Sequence, residues 1–175
     1  MNLIPIITQR LELIPITVEL CKADLSSHQE LGNLLCARIP GAWPPEQVTN
    51  ETIQTFISLL QAQGGSRFLA YYWIKKPCGF PYGERTLIGS GGFIIGEDNV
   101  PELGYSVLEE FQGKGYASEA AREMIRFMFE DPGVSTIQAC TYPNLISSIR
   151  VLEKNGFEFS GPGKETGTIS YYLSR

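Results

Sequence analysis

Apolar residues along this chain shift between a spacing of two and a spacing of three to four, and the shifts divide it into elements. Alternation over 10–17 predicts a first strand, and Leu20, Leu31, Leu34 and Leu35 anchor one predicted helix over 18–36. Residues 38–46 must be irregular, because Pro44 and Pro45 after Trp43 break helices. A second helix is expected over about 51–63, closed by Gly64 and Gly65. Strands follow at about 67–74 and 86–95, joined by a proline- and glycine-rich hairpin loop over 75–85. Beyond a strand over 102–107, a helix carries Ala117, Ala120, Ala121, Met124, Ile125 and Met128 on one face. Glu119, Arg122, Glu123 and Arg126 fall on its other face. The pattern then gives a strand over 136–141, a helix ending at Gly156, and a last strand over about 167–173. Phe157 after that helix reads as the start of a core strand. This order predicts one α+β domain around a mixed sheet.

The junction between the strand at 102–107 and its helix holds the most specific chemistry. Gln112, Gly113, Lys114, Gly115, Tyr116, Ala117 and Ser118 form a run of mostly small residues at a helix start. Gly113 and Gly115 leave no side chain above the loop backbone. The first N–H groups of a helix lack internal partners and carry the positive end of its dipole, which suits a phosphate or pyrophosphate. Two nucleotide motifs are excluded. A dinucleotide fingerprint would need an acid closing the next strand, and 136–141 ends without one. A P-loop needs glycine-lysine before serine or threonine, and neither Lys114 nor Lys164 satisfies it.

Gln112, Gly115 and Ala117 in the pattern Q-x-x-G-x-A resemble the pyrophosphate loop of the GNAT superfamily of acetyl-CoA-dependent N-acetyltransferases. Residues 102–107 and 148–157 resemble the flanking strand and the later helix and turn of its ribosomal-protein N-terminal acetyltransferase branch, so the likeness covers roughly 86 to 160. It implies a GNAT fold: a mixed, mostly antiparallel sheet of six to seven strands with about four helices, splayed where acetyl-CoA binds. It implies that the loop from Gln112 to Ser118 holds the pyrophosphate. Backbone groups of Tyr105, Ser106 and Val107 would pair with the pantetheine arm, one N–H polarising the thioester carbonyl. Lys114 reads either as a charge beside the phosphates or as a solvated lysine.

Other positions depart from the family pattern. The asparagine expected early in the later helix is Leu145 here, with Asn144 one residue before it, and the tyrosine that protonates the thiolate is Leu152. Ser148 becomes the candidate for a hydrogen bond to the coenzyme sulfur, its alternative being a helix cap, for which Ser147 is better suited. Arg150 reads as a phosphate contact or a surface ion pair. Glu102, on one strand face with Gly104 and Ser106, is the candidate base; Glu97 and Asp98 are weaker ones, and an edge carboxylate facing solvent is the alternative.

Composition narrows the class. A net charge of -5 without a basic block argues against a nucleic-acid surface. No apolar run reaches the ~20 residues of a membrane helix, and no signal peptide is evident. Cys21, Cys36, Cys78 and Cys140 show no paired metal spacing, and His28 is the single histidine, read as a helix-surface residue. The expectation is a cytoplasmic monomer or homodimer with reduced thiols, no metal, and acetyl-CoA and an amine as its ligands. The acceptor would be a protein N-terminus or a small molecule, in a pocket built by the first helices and 38–46. The rival expectation is a non-catalytic acyl-CoA-binding module of the same fold.

Overall fold

A computed structural model describes residues 4–62, 67–77, 83–96 and 98–175. Among them the chain forms an eight-stranded sheet of order β1-β2-β3-β4-β5-β6-β8-β7 and five α-helices. The elements are β1 (Ile6–Ile7), β2 (Leu11–Pro15), α1 (Val18–Ser26), α2 (His28–Leu35), α3 (Asn50–Gln61), β3 (Arg67–Lys75), β4 (Thr86–Ile95) and β5 (Pro101–Val107). A 3₁₀ turn (Glu109–Phe111) precedes α4 (Tyr116–Met128), β6 (Thr136–Thr141), α5 (Ile146–Lys154), β7 (Glu158–Pro162) and β8 (Ile169–Ser174). β5 and β6 are parallel, and every other neighbouring pair is antiparallel.

The extra elements have local causes. Ser27 breaks the single helix expected over 18–36: its extended backbone ends α1, and its hydroxyl accepts from Glu30 N to cap α2. Leu34, expected to anchor that helix, is 44% exposed. β1 is a two-residue strand, below what periodicity detects. The core strand expected from Phe157 is β7, which is mostly exposed, so that of this segment Phe157 itself, at 4% exposed, reaches the core. The expected closure of α3 at Gly64 and Gly65, and the middle of the 75–85 loop with Cys78, lie outside the described residues.

Cross-strand register fixes what each sheet face meets. Tyr72, Ser90 and Ser106 form one row across β3, β4 and β5. Tyr72 donates to Asp24 of α1 at 2.7 Å, so this row faces the α1–α3 layer. Tyr105, one residue along, points to the opposite face, where its hydroxyl meets Ser148 of α5. α4 packs there as well, burying Ala120, Ala121, Met124, Ile125 and Met128 as its periodicity predicts. Gly91 is required on this face: a Cβ there would stand 2.6 Å from the Trp73 ring and 2.8 Å from Tyr105 Cβ.

Buried polar groups on the two faces differ in satisfaction. Asp24, 7% exposed, accepts from both Tyr72 Oη and Trp43 Nε1. Burial raises its carboxyl above the usual range, against the pull of those two donors. Tyr71 Oη, on the opposite face, has no hydrogen-bond partner among the described residues, and burial pushes its phenol up to about 12. Adjacent tyrosines should therefore respond oppositely to loss of the hydroxyl. Tyr72→Phe strips a donor from a buried carboxylate and should cost about 1.5–3 kcal/mol. Tyr71→Phe removes an unsatisfied group and should be neutral or stabilising by up to about 1 kcal/mol. Urea denaturation midpoints at unchanged m-value measure both. Equal destabilisation by the two changes would contradict the assignment.

Candidate active site

β5 and β6 are in register for two residues only, Glu102 with Gln138 and Leu103 with Ala139. Beyond that rung Gly104 to Val107 stay paired to β4 but have no strand partner toward β6. This is the splay expected from the sequence, and it leaves a row of backbone polar groups open in mid-sheet. Gln112 closes its far end, donating from Nε2 to Val107 O at 3.0 Å. Its side chain thus ties the loop to the strand, and the Val107 carbonyl is engaged within the protein.

The loop has the geometry its glycines require. Gly113 and Gly115 adopt φ of +71° and +82°, a left-handed conformation that suits glycine. No atom lies within 4 Å of where a Gly113 Cβ would stand. Gly115 is the N-cap of α4, without a side-chain cap, and the first intrahelical bond runs from Glu119 N to Gly115 O at 3.1 Å. The N–H groups of Tyr116, Ala117 and Ser118 precede that bond and remain available at the helix mouth. Lys114 turns its ammonium back onto Glu110 O at 2.7 Å, so its side chain braces its own loop.

Ser148 lies in the first turn of α5 beside the splay. The capping alternative fails for Ser147 and Ser148 alike: the N-cap position is Leu145, with no side-chain cap bond. Ser148 instead offers Oγ to Tyr105 Oη at 3.2 Å, while Tyr105 Oη donates to Ser148 O at 3.0 Å. Burial pushes the Tyr105 phenol up to about 12, against the Ser148 hydrogen bond. Leu152 is 1% exposed in the core, so α5 brings no titratable group at the family's tyrosine position. Asn144 and Arg150 are exposed, and Arg150 makes no ion pair among the described residues.

Glu102 occupies the last paired rung, on the face opposite Tyr105, and binds Lys164 Nζ at 3.3 Å. Lys164 also lies 4.0 Å from Asp98. The candidate base is therefore an ion-paired carboxylate at the closed end of the splay, about 13 Å along the strand from Ser106. Glu97 is outside the described residues. Within 38–46, the segment expected to build an acceptor pocket with the first helices, Trp43 is 3% exposed and belongs to the core.

Sequence reading missed a cluster beneath the loop. Glu119, assigned to the outer face of α4, is 16% exposed at its side chain and accepts from Thr8 Oγ1, Arg10 N and Arg10 Nε at 2.6–2.7 Å. Arg10 Nη1 donates to Lys114 O at 2.9 Å, and its guanidinium stacks over Tyr116 at 4.5 Å. No periodicity links positions 109 residues apart. The available hint was an acid in the first turn of a helix beginning at glycine.

The comparisons with known proteins agree with this geometry. Residues 10–158 match the model of the acetyltransferase (GNAT) domain. The chain belongs to the GNAT acetyltransferase family. An N-acetyltransferase of Bacillus subtilis, YjdG, is 30% identical over 158 residues, covering 86% of this chain and 87% of that protein. The ribosomal protein uS5-alanine N-acetyltransferase of Escherichia coli is 33% identical over 85 residues, 47% of this chain and 44% of that one. An aminoglycoside acetyltransferase solved with coenzyme A shares the fold, with a TM-score of 0.60 at 18% identity over 94% of this chain and 95% of that chain. Enzymes of this family are acetyl-CoA-dependent acyltransferases, and the protein is a GNAT N-acetyltransferase.

Two outcomes follow from the loop. Gly115→Asp forces a side chain onto a residue at φ +82°, with its Cβ 3.4 Å from Arg10 Nη2, and sets a carboxylate at the helix mouth, so it should abolish acetyl-CoA binding in a folded protein. Calorimetry showing unchanged affinity would remove the loop from the site. Burial pushes the Glu119 carboxyl up, but the Thr8 and Arg10 hydrogen bonds and the Arg10 charge together hold it below its ordinary value of 4.5. The stability it contributes is then present above that value and lost as pH falls through the folded-state pKa. The stability gap between wild type and Glu119→Gln should be constant near neutrality and shrink below about pH 4.5. A gap independent of pH in urea titrations would contradict this.

Proposed function

We propose that the protein transfers an acetyl group from acetyl-CoA directly to an α-amine, that of a peptide N-terminus or a small metabolite. The observation that carries the reading is the conjunction of an open strand edge, a glycine loop at a helix mouth and a hydroxyl pair beside the open strand. The loop N–H groups from Gly113 to Ser118 would hold the pyrophosphate, with Gln112 fixing the loop. The backbone groups of Tyr105, Ser106 and Val107, apart from the Val107 carbonyl that Gln112 holds, would receive the pantetheine arm and polarise the thioester carbonyl. Direct attack then forms the C–N bond as the C–S bond breaks. The amine loses a proton and the sulfur gains one.

Ser148 Oγ is suited to donate to the departing sulfur. The Tyr105 phenol holds that hydroxyl in place, and the Ser148 O–H would turn from Tyr105 Oη to the sulfur as the C–S bond breaks, where the helix itself carries Leu152. Acceptor entry from the α1–α3 side is supported by the row Ile94, Glu102, Gln138 and Tyr172 across β4, β5, β6 and β8. Ile94 is 44% and Tyr172 38% exposed, so this stretch of the sheet is uncovered. Glu102 lies in that row and would accept the amine proton through water, in competition with Lys164. An α-ammonium has a pKa near 8, against about 10.4 for lysine, so it needs only such a modest base. A cytoplasmic setting is supported by the free thiols of Cys21, Cys36 and Cys140. Among the described residues no helix is long and apolar enough to cross a membrane.

Thiol release from acetyl-CoA with an amine panel tests the reading. Ser148→Ala should slow turnover about tenfold or more, from a loss of 1–3 kcal/mol in the transition state, with acetyl-CoA affinity little changed. Wild-type turnover with a lowered melting temperature would assign Ser148 a structural role instead. Glu102→Gln should cut the rate most at low pH, where neutral amine is scarcest. Parallel pH–rate profiles would remove Glu102 from the mechanism, and faster turnover on lysine side chains would overturn the acceptor class.

A further inference from the structure

Arg10 stands outside every element of the proposed chemistry, between β1 and β2, yet it bonds both to the first turn of α4 and to the loop before it. Its backbone N–H and Nε hold the two oxygens of Glu119, its Nη1 holds Lys114 O at 2.9 Å, and its plane covers the Tyr116 ring. A Cβ on Gly115 would stand 3.4 Å from Nη2, an atom with no hydrogen bond among the described residues. The guanidinium is thus a fork with one arm in the helix, one in the loop and one left over beside the helix mouth.

The fork has a directional consequence. In a trans peptide the carbonyl of one residue and the N–H of the next point opposite ways. By drawing Lys114 O toward itself, Arg10 turns the Gly115 N–H away from itself and toward the far side of the loop. Gly115 has neither a side chain nor a regular-structure bond to set that plane, and at φ +82° it is at home in more than one orientation. We propose that Arg10 is a positioning residue for coenzyme binding. It sets the Lys114–Gly115 peptide so that the Gly115 N–H serves the pyrophosphate. Glu119 and Thr8 aim Arg10, so the start of the chain takes part in a site otherwise built from its second half.

A lysine at this position keeps the charge and can still reach Glu119, but one ammonium cannot span Glu119 and Lys114 O in the planar manner of a guanidinium. The inference rests on the loop being the pyrophosphate site, and the two are separable. Arg10→Met and Arg10→Lys should each weaken acetyl-CoA binding about tenfold by calorimetry, the scale of a lost charge-assisted hydrogen bond. KM for acetyl-CoA should rise in step while kcat at saturation stays near wild type. S-acetylpantetheine, a donor without the pyrophosphate, provides the reading that general damage would not spare. Its kcat/KM should be the same in wild type and both variants. Wild-type acetyl-CoA affinity in either folded variant overturns the role of Arg10, as does an equal loss with S-acetylpantetheine. If Gly115→Asp still binds acetyl-CoA, the loop assignment itself fails. If Gly115→Asp loses binding and the Arg10 variants keep it, only the inference about Arg10 fails.

Discussion

Two parallel strands that pair for two residues and then part leave a line of backbone N–H and C=O groups without partners in the middle of a sheet. Such groups are costly to bury unsatisfied, so the opening has to be held by what surrounds it. In this protein the closed end is set by the rung of Leu103 and Ala139, both nearly buried. The far end is held by Gln112 gripping the Val107 carbonyl, and one wall is held by Tyr105 reaching across to α5. Every candidate contact to a thioester depends on this divergence, because a continuously paired β5–β6 ladder would leave no free backbone to meet one.

The proposed anion side of the site follows from a second constraint, the unsatisfied start of α4. Gly115 caps it without offering a side chain, which leaves the first amides open but removes the usual means of fixing the turn. The fixing comes from elsewhere. Glu119, one turn into the helix, is pinned by Thr8 and Arg10, and the same arginine holds the carbonyl before Gly115. An open helix mouth and a rigid one are compatible here because Arg10 braces the loop from the side opposite the Gly115 N–H.

What the sequence made legible was what repeats locally. The apolar face of α4 appears as its spacing predicts, and Gly113 and Gly115 sit at the positive-φ positions that a tight loop needs. The irregular 38–46 segment was legible from its prolines, but the burial of Trp43 within it was not, because Trp43 donates to the Asp24 carboxylate of another element. The break at Ser27 was hidden because leucines on both sides share a helical spacing. A helix cap stayed open as the alternative for Ser148 in the sequence, whereas its environment is set by a tyrosine 43 residues earlier. Contacts of this kind, the Arg10–Glu119 pair above all, are made by the fold and leave no mark in neighbouring residues.

The central claim is that acetyl-CoA is held by two sets of backbone amides, those opened by the β5–β6 splay and those of the glycine loop. Amide hydrogen exchange, read residue by residue with and without acetyl-CoA, tests it most directly. The account predicts protection on binding within Gly104–Val107 and Gly113–Ser118, with the outer face of β7 unaffected. Binding that leaves both segments at their free exchange rates, or that protects a different part of the sheet, would contradict it.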